Sequence, residues 1–214
     1  MTNGSSRDVI VRVGTAGDAQ DVADLHSASW RSAYAGIVPD RALGDGLPEE
    51  RRDIWELRLD ADYGEPANTP ALLIAESAEG VVGFAYLVPQ PDGRILLDNL
   101  HVRPGRTGAG TGRLLMGAAL AHVSQCHPGA DLYLEVLRDN TRAITFYERQ
   151  GGRRTGVREG RFPGGFTLPE YEYTWSARAL RDGGARSSSS GPTARLPEPS
   201  GDPAGPAVSR GRRR

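Results

Sequence analysis

The sequence predicts a single α/β domain of the layered α+β type. Its expected centre is a mixed, largely antiparallel sheet of six to seven strands, flanked by about four helices. Two observations carry the prediction. Short apolar runs of strand character alternate with longer stretches whose apolar residues recur at helical spacing. Three of those runs follow one another directly, separated only by the turn signals "AEG" and "PQPDG", which requires antiparallel neighbours.

The elements follow in order. The β-branched run "DVIVRVGT", ended by Gly14, reads as the first strand. "GDAQDVADLHSASWRSAY" places Val22, Leu25, Ala28 and Ser29 at helical spacing, with Asp18 as the expected N-cap. "AGIVPDRALGDGL" is punctuated by Gly and Pro and reads as loop with a short helical turn. "PEERRDIWELRL" starts on Pro48, carries acids in its first turn and repeats apolar residues at Ile54, Leu57 and Leu59, which makes it a second helix. "ALLIAES", "VVGFAYLVP" and "RILLDNLHV" are strands two to four, "TGRLLMGAALAHVSQC" an apolar third helix and "DLYLEVL" a fifth strand. "TRAITFYERQG" is a fourth helix, capped by Asn140 or Thr141, apolar along Ala143, Ile144, Phe146 and Tyr147, and stopped by Gly151. "GGRRTGVREGRFPGGFTLPEYEYTW" supplies the last strands.

Composition sets the outer limits. The chain of 214 residues is long enough for one well-packed domain, expected over residues 8–176 after a flexible N-terminus at 1–7. No apolar run of about 18 residues predicts a membrane span, and the N-terminus lacks the layout of a secretory leader. The single cysteine, Cys126, excludes an internal disulfide and a multi-cysteine zinc site, so a cytoplasmic protein is expected. All 26 basic residues are arginine, so the chain has no lysine of its own to modify. From 177 onwards the net charge is +5, against −6 for the preceding body. A basic tail raises nucleic acid as a partner. This one is nearly devoid of apolar side chains, cannot offset the entropy of ordering, and reads as a disordered segment over 177–214 with incidental charge. Neither nucleic acid nor membrane is an expected partner. His26, His101, His122 and His127 show no ligand-like spacing, so no metal is expected. Trp30, Tyr34 and Trp55 read as packing residues, and Cys126 as a small buried hydrophobe.

One stretch carries chemistry. In "HVRPGRTGAGTGRLLM", Pro104 ends the fourth strand, four glycines follow within eight residues, and an apolar helix begins near Gly110 or Gly112. The first-turn N–H groups of a helix have no internal partner and lie at the positive end of its dipole, and glycines let an anion approach the backbone. Arg106 and Arg113 can add charge. The pattern reads as a seat for a phosphate-bearing cofactor. The nucleotide P-loop requires a lysine that this chain lacks. The dinucleotide fingerprint fits poorly, because the spacing is Gly108, Gly110, Gly112 and the strand before it ends a meander.

The stretch resembles the coenzyme A loop of the GNAT superfamily of acetyl-coenzyme A-dependent N-acetyltransferases. That pattern is a hydrophobic strand with Val-x-Pro, then Gln/Arg-x-x-Gly-x-Gly/Ala, then an apolar helix. Aligned on Val102 and Pro104, its glycine pair falls on Gly110 and Gly112, while Thr107 replaces the Gln/Arg and Arg106 sits one residue early. "LYLEVLRDNTRAITFYERQGG" resembles the superfamily's second motif at Asn140, Ala143, Phe146, Tyr147 and Gly151. "SWRSAYAGIVPD" followed by "ERRDIW" is similar to a subgroup common among bacterial members. The resemblance implies strands four and five splayed around acetyl-coenzyme A. The pantetheine would follow the edge of the fourth strand at Leu100, His101 and Val102, and the pyrophosphate would rest on the amides of Gly108, Ala109, Gly110, Thr111, Gly112 and Arg113. Asn140 and Tyr147 would also contact the donor, and the Val102 amide would polarise the thioester carbonyl.

An alkyl amine of pKa about 10.4 is neutral in only roughly one molecule in 2,500 at pH 7, so a general base is valuable. Glu135 in "LYLEV" and Asp98 in "LLDNL" are the candidates, with Glu76 in "LLIAES" a third. Tyr147, a phenol protonated at neutral pH, is the candidate acid for the departing thiolate. The resemblance therefore implies an acyltransferase working by direct transfer in a ternary complex. Its acceptor would be a small amine or a protein amine, with a homodimer as one assembly to test. A non-catalytic acyl-coenzyme A-binding module is the competing reading.

Overall fold

The computed structural model describes residues 9–162 and 165–187. The strands are β1 (Ile10–Val13), β2 (Ala71–Ser77), β3 (Gly80–Pro89), β4 (Ile95–Val102), β5 (Leu132–Leu137), β6 (Arg153–Phe162) and β7 (Phe166–Trp175). The helices are α1 (Ala19–Tyr34), α2 (Leu47–Asp60), α3 (Thr111–Cys126), α4 (Thr141–Arg149) and α5 (Ala177–Ser187). The strands form one mixed sheet in the order β1-β2-β3-β4-β5-β7-β6, with β7 inserted between β5 and β6. All neighbours are antiparallel except β4 and β5, which run parallel. The expected largely antiparallel sheet of six to seven strands is observed with seven, and the expected splay between strands four and five falls at its parallel pair.

Helices cover both faces of the first half of the sheet. On one face Leu73, Ala75, Val82, Ala85 and Leu87 pack against α3 and α5 through Leu115, Met116, Ala119, Val123 and Leu180. On the other, Leu72, Ile74, Val81, Phe84 and Tyr86 pack against α1 and α2 through Val22, Leu25 and Trp55. This double cover explains why β2 and β3 read as unbroken apolar runs rather than alternating ones. Trp55 is fully buried and meets Phe84 and Tyr86 edge to face, with centroids 5.2 and 5.0 Å apart. Aromatic pairs of this kind add about 0.5–1.5 kcal/mol beyond area burial.

Several expectations require correction. Asp18 precedes α1 but does not cap it through its side chain. Its carboxylate instead accepts from the Thr15 amide (2.8 Å) and pairs with Arg12 (2.6 Å), because the chain first makes a short 3-10 turn at Ala16–Asp18. In α1 the buried side includes Ala23 and His26, while Ala28 is exposed. In α2 the inward stripe is Leu47, Arg51 and Trp55, and Leu57 points to solvent. Cys126 is exposed at the end of α3, not buried. The chain past 176 continues as α5, whose Leu180 enters the core, so the start of the expected tail belongs to the folded layer. The expected flexible N-terminus and residues 188–214 of the expected tail lie outside the described residues. Among those described, no helix is long and apolar enough to cross a membrane.

The parallel seam positions the site. β4 and β5 pair only at Ile95–Leu132 and Leu96–Tyr133. A register shift in β4 between its partners Tyr86 and Leu87 places Asp98 at a bulge, and β4 then continues to Val102 without pairing to β5. The sheet is therefore open along the second half of β4.

Candidate active site

The loop after β4 is held from below. The Arg103 amide donates to Val82 O (2.9 Å), and its guanidinium donates to Val81 O (2.6 and 3.1 Å). Gly110 occupies the N-cap of α3 with φ +94°, a left-handed conformation that side chains resist. Gly110 offers no capping side chain, and among the described residues nothing outside the helix accepts from its first-turn amides. Gly108 adopts φ +89° in the same loop. The result is an open, positively polarised backbone cup.

This cup forms one end of a cleft of about 860 Å³. Leu97 to Val102 of β4 form one wall, and Glu135 and Val136 of β5 with Asn140, Phe146 and Tyr147 form the other. Thr107, Gly108, Gly110, Gly112 and Arg113 line the cup, and Ser29 and Tyr34 of α1 lie across the opening. Asn140 caps α4 by accepting from the Ala143 amide (3.1 Å), as its position predicts, and Gly151 ends the segment at φ +85°. The Arg106 side chain is turned away to pair with Glu79 and is not on the cleft wall. Ala109 and Thr111 belong to the loop and first turn without lining the cleft, and Thr111 is buried.

The three carboxylates separate clearly. Glu135 faces the cleft half-buried, and burial pushes its pKa up while its ion pair with Arg158 pulls it down. Asp98 also reaches the cleft, but it pairs with Arg58 (2.7 Å) and accepts from the Asn99 amide group (2.6 Å). Glu76 is not in the cleft; it pairs with Arg12 (2.8 Å) at the far edge of the sheet. The Tyr147 hydroxyl is in the cleft with no hydrogen-bond partner among the described residues, and burial raises its pKa, so the phenol keeps its proton.

The sequence model of the acetyltransferase (GNAT) family matches residues 22–152, more than half of the chain and the whole of this cleft up to α4. The chain belongs to the GNAT family. A mycothiol acetyltransferase of Kineococcus radiotolerans is 38% identical over 51% of this chain and 35% of its own length. The Mycobacterium tuberculosis protein named "Probable N-acetyltransferase Rv2775" is 30% identical over 62% of this chain and 73% of its own. The chain thus spans about a third of the first relative and nearly three quarters of the second. The crystal structure of the PaiA N-acetyltransferase of Thermoplasma acidophilum in complex with coenzyme A shares the fold, with TM-score 0.58 and 18% identity over 78% of this chain and 99% of that one.

In this GNAT domain, α1 and β7 add groups that residue patterns did not reveal, and those of α1 meet His101, already expected on the donor edge of β4. His26 and His101 lie with ring centroids 4.6 Å apart beneath the cleft. His101 Nδ1 shares a hydrogen bond with Ser29 Oγ (2.9 Å), and Trp55 Nε1 donates to His26 Nδ1 (3.0 Å). Burial, aided by nearby Arg51, lowers His101 to about 3 and His26 well below its ordinary value, so both rings are neutral. Tyr34, read as packing, stands on the cleft wall, and burial raises its pKa to about 12. Glu170 of β7, buried beside Glu135 and Arg158, adds a second carboxylate whose pKa burial raises. No local signal marks His26 or Glu170, because their partners come from elements far apart in sequence. Among the described residues no cluster of three metal-binding side chains occurs.

Proposed function

We propose that the protein is an acetyl-coenzyme A-dependent N-acetyltransferase that moves the acetyl group directly to an amine held in the cleft. One observation carries the reading. The unpaired edge of β4 leads straight into the uncapped, glycine-lined start of α3, inside a cleft large enough for an extended donor. A pantetheine arm can add to that edge as an extra strand, and the pyrophosphate can rest on the free amides. The Val102 amide is the proposed donor to the thioester carbonyl.

In the proposed step the amine nitrogen attacks the thioester carbon, the carbon–sulfur bond breaks, and the amine loses a proton. Glu135 is the proposed proton acceptor: its raised pKa and position on the β5 wall suit a base better than Asp98, already committed to Arg58 and Asn99. Tyr147 is the proposed proton donor to the coenzyme A thiolate, since its hydroxyl is unpartnered and protonated. Related proteins include a mycothiol acetyltransferase and a spermine/spermidine N(1)-acetyltransferase, which supports an amine acceptor.

The test follows free thiol release from acetyl-coenzyme A across an amine panel. Turnover with at least one amine is expected, with Glu135→Gln and Tyr147→Phe each lowering kcat about 10²–10⁴-fold at unchanged donor affinity. Donor binding without turnover of any amine would instead identify a binding module, and unchanged kcat in both variants would remove these residues from the mechanism.

A further inference from the structure

A second cavity of about 260 Å³ lies beside the cleft, between α1, α2 and the β6–β7 hairpin. Its walls are Trp30, Leu47, Phe162 and Phe166, and its charged groups are Arg41, Glu50 and Arg51. Phe162 and Phe166 stack at 5.3 Å with their planes 9° apart. Arg41 lies over the Phe166 ring, 5.7 Å from its centre, and Arg51 over the Trp30 ring at 4.3 Å.

Arg51 is the anomaly. Its side chain is only 8% exposed, and its Nε is buried without a hydrogen-bond partner among the described residues. The nearest carboxylate is Glu50, 3.7 Å from Nη1 and itself largely exposed. Burial depresses the Arg51 pKa. Taking a guanidinium out of water without hydrogen bonds is costly, and such charges are normally paired. Among the described residues Glu50, Asp98 and the Trp30 ring offset that charge in part, Arg58 opposes it, and none of them hydrogen-bonds Nε. Arg12, by contrast, is paired with both Asp18 and Glu76.

The second cavity adjoins the cleft. Trp30, on its wall, touches Tyr34 of the cleft with centroids 4.9 Å apart. Arg51 acts electrostatically on Tyr34 and His101 of the cleft wall, and the β5 wall of the cleft carries Glu135, with Glu170 of β7 beside it. One molecule reaching both regions would place a cation at the carboxylates and an anion at Arg51.

We propose that the acceptor of this enzyme is an amino-carboxylate with an apolar or aromatic body, whose carboxylate is received by the buried Arg51 guanidinium while its amine faces Glu135. A carboxylate is favoured over a phosphate because the planar Arg51 guanidinium matches one carboxylate bidentately, while Arg41, the other cation of the cavity, lies over the Phe166 ring. The aromatic walls take the body of the ligand and exclude water from the ion pair. Arg51 is a specificity residue here, and the assignment rests on the acetyltransferase reading above.

Matched pairs test it: amino acids with aromatic, branched and small side chains against their carboxamides, each assayed by thiol release at a pH where both amines are neutral. The acids are expected to exceed their amides at least tenfold in kcat/KM for the aromatic or branched bodies. Arg51→Gln should abolish that preference, through acceptor KM, and leave the KM for acetyl-coenzyme A unchanged. Equal kcat/KM for acid and amide throughout the panel overturns the proposal, as does a preference that survives the substitution. A second measurement needs no catalysis. Calorimetric titration of the coenzyme A complex with the N-acetylated acids and amides should show acid binding at least tenfold tighter. If no amine turns over yet the acids bind through Arg51, the catalytic reading fails and the site stands. If amines turn over but the acids bind no better than the amides, the site fails alone. The wild-type comparison holds whether or not Arg51→Gln folds.

Discussion

The two halves of the sheet, β1 to β4 and β5-β7-β6, follow different rules. In the first half both faces are dry, and strands and helices meet through fully buried apolar side chains such as Ile74, Phe84 and Trp55. In the second half one face is apolar core, and the other mixes the buried Tyr133 and Leu137 with carboxylates. Leu132, Leu134, Val136, Tyr173 and Trp175 enter the core, while Glu135, Glu170 and Glu172 alternate with them. The contrast teaches that stability and chemistry are divided along the seam at β4 and β5. One half holds the fold, with neutral buried rings at His26 and His101, and the other holds Glu135 and Glu170, whose pKa values burial raises.

The sharpest way to break that division is Trp55→Ala in the first half. It leaves a large void and removes the partner of His26 Nδ1, so a loss of about 3–5 kcal/mol is expected from urea unfolding at constant m-value. A polar feature of the same half should matter next. Arg12 and the Thr15 amide hold the Asp18 pKa below its ordinary value. That contribution is complete above the unfolded-state pKa of about 3.9 and is lost as pH falls through the lower folded value. Asp18→Asn should cost on the order of 1–3 kcal/mol at neutral pH and flatten the acid side of the stability profile in calorimetry. At the boundary between the halves, Gly110→Ala meets open space but must hold a left-handed backbone. A loss of roughly 1–2 kcal/mol is expected, with a higher KM for the donor. The smallest stability effect belongs to the open half. Arg158→Gln removes a half-exposed ion pair, worth about 0–1 kcal/mol, but frees Glu135 from the charge that lowers its pKa. The acid limb of the kcat/KM profile should move to higher pH, and an unmoved limb would exclude Glu135 as the base.

Much of this was legible in the residues. Each strand run and helix stretch corresponds to an observed element, because the apolar period changes where the backbone changes. Gly108, Gly110 and Gly112 marked the cup, and Asn140 the cap of α4, since both depend on residues close in sequence. What escaped depends on distance. Leu57 looked inward by spacing, yet α2 is rotated so that Arg51 and Trp55 face the sheet. His101 was expected on the donor edge of the fourth strand, yet its hydrogen bond to Ser29, 72 positions away, was not legible. The Arg51 environment arises from α1, α2 and the β6–β7 hairpin together, and no local window contains it.

The seam itself has a consequence for how the molecule opens. Two register pairs, Ile95–Leu132 and Leu96–Tyr133, are all that stitch the halves into one sheet. Amide hydrogen exchange should therefore divide there, with the β2–β3 core protected longest and the β5-β7-β6 block released as a separate cooperative unit. A donor laid along the bare edge of β4 would act as the missing strand and join the two blocks. Its arrival should register as slowed exchange on both sides of the gap, well beyond the residues it touches.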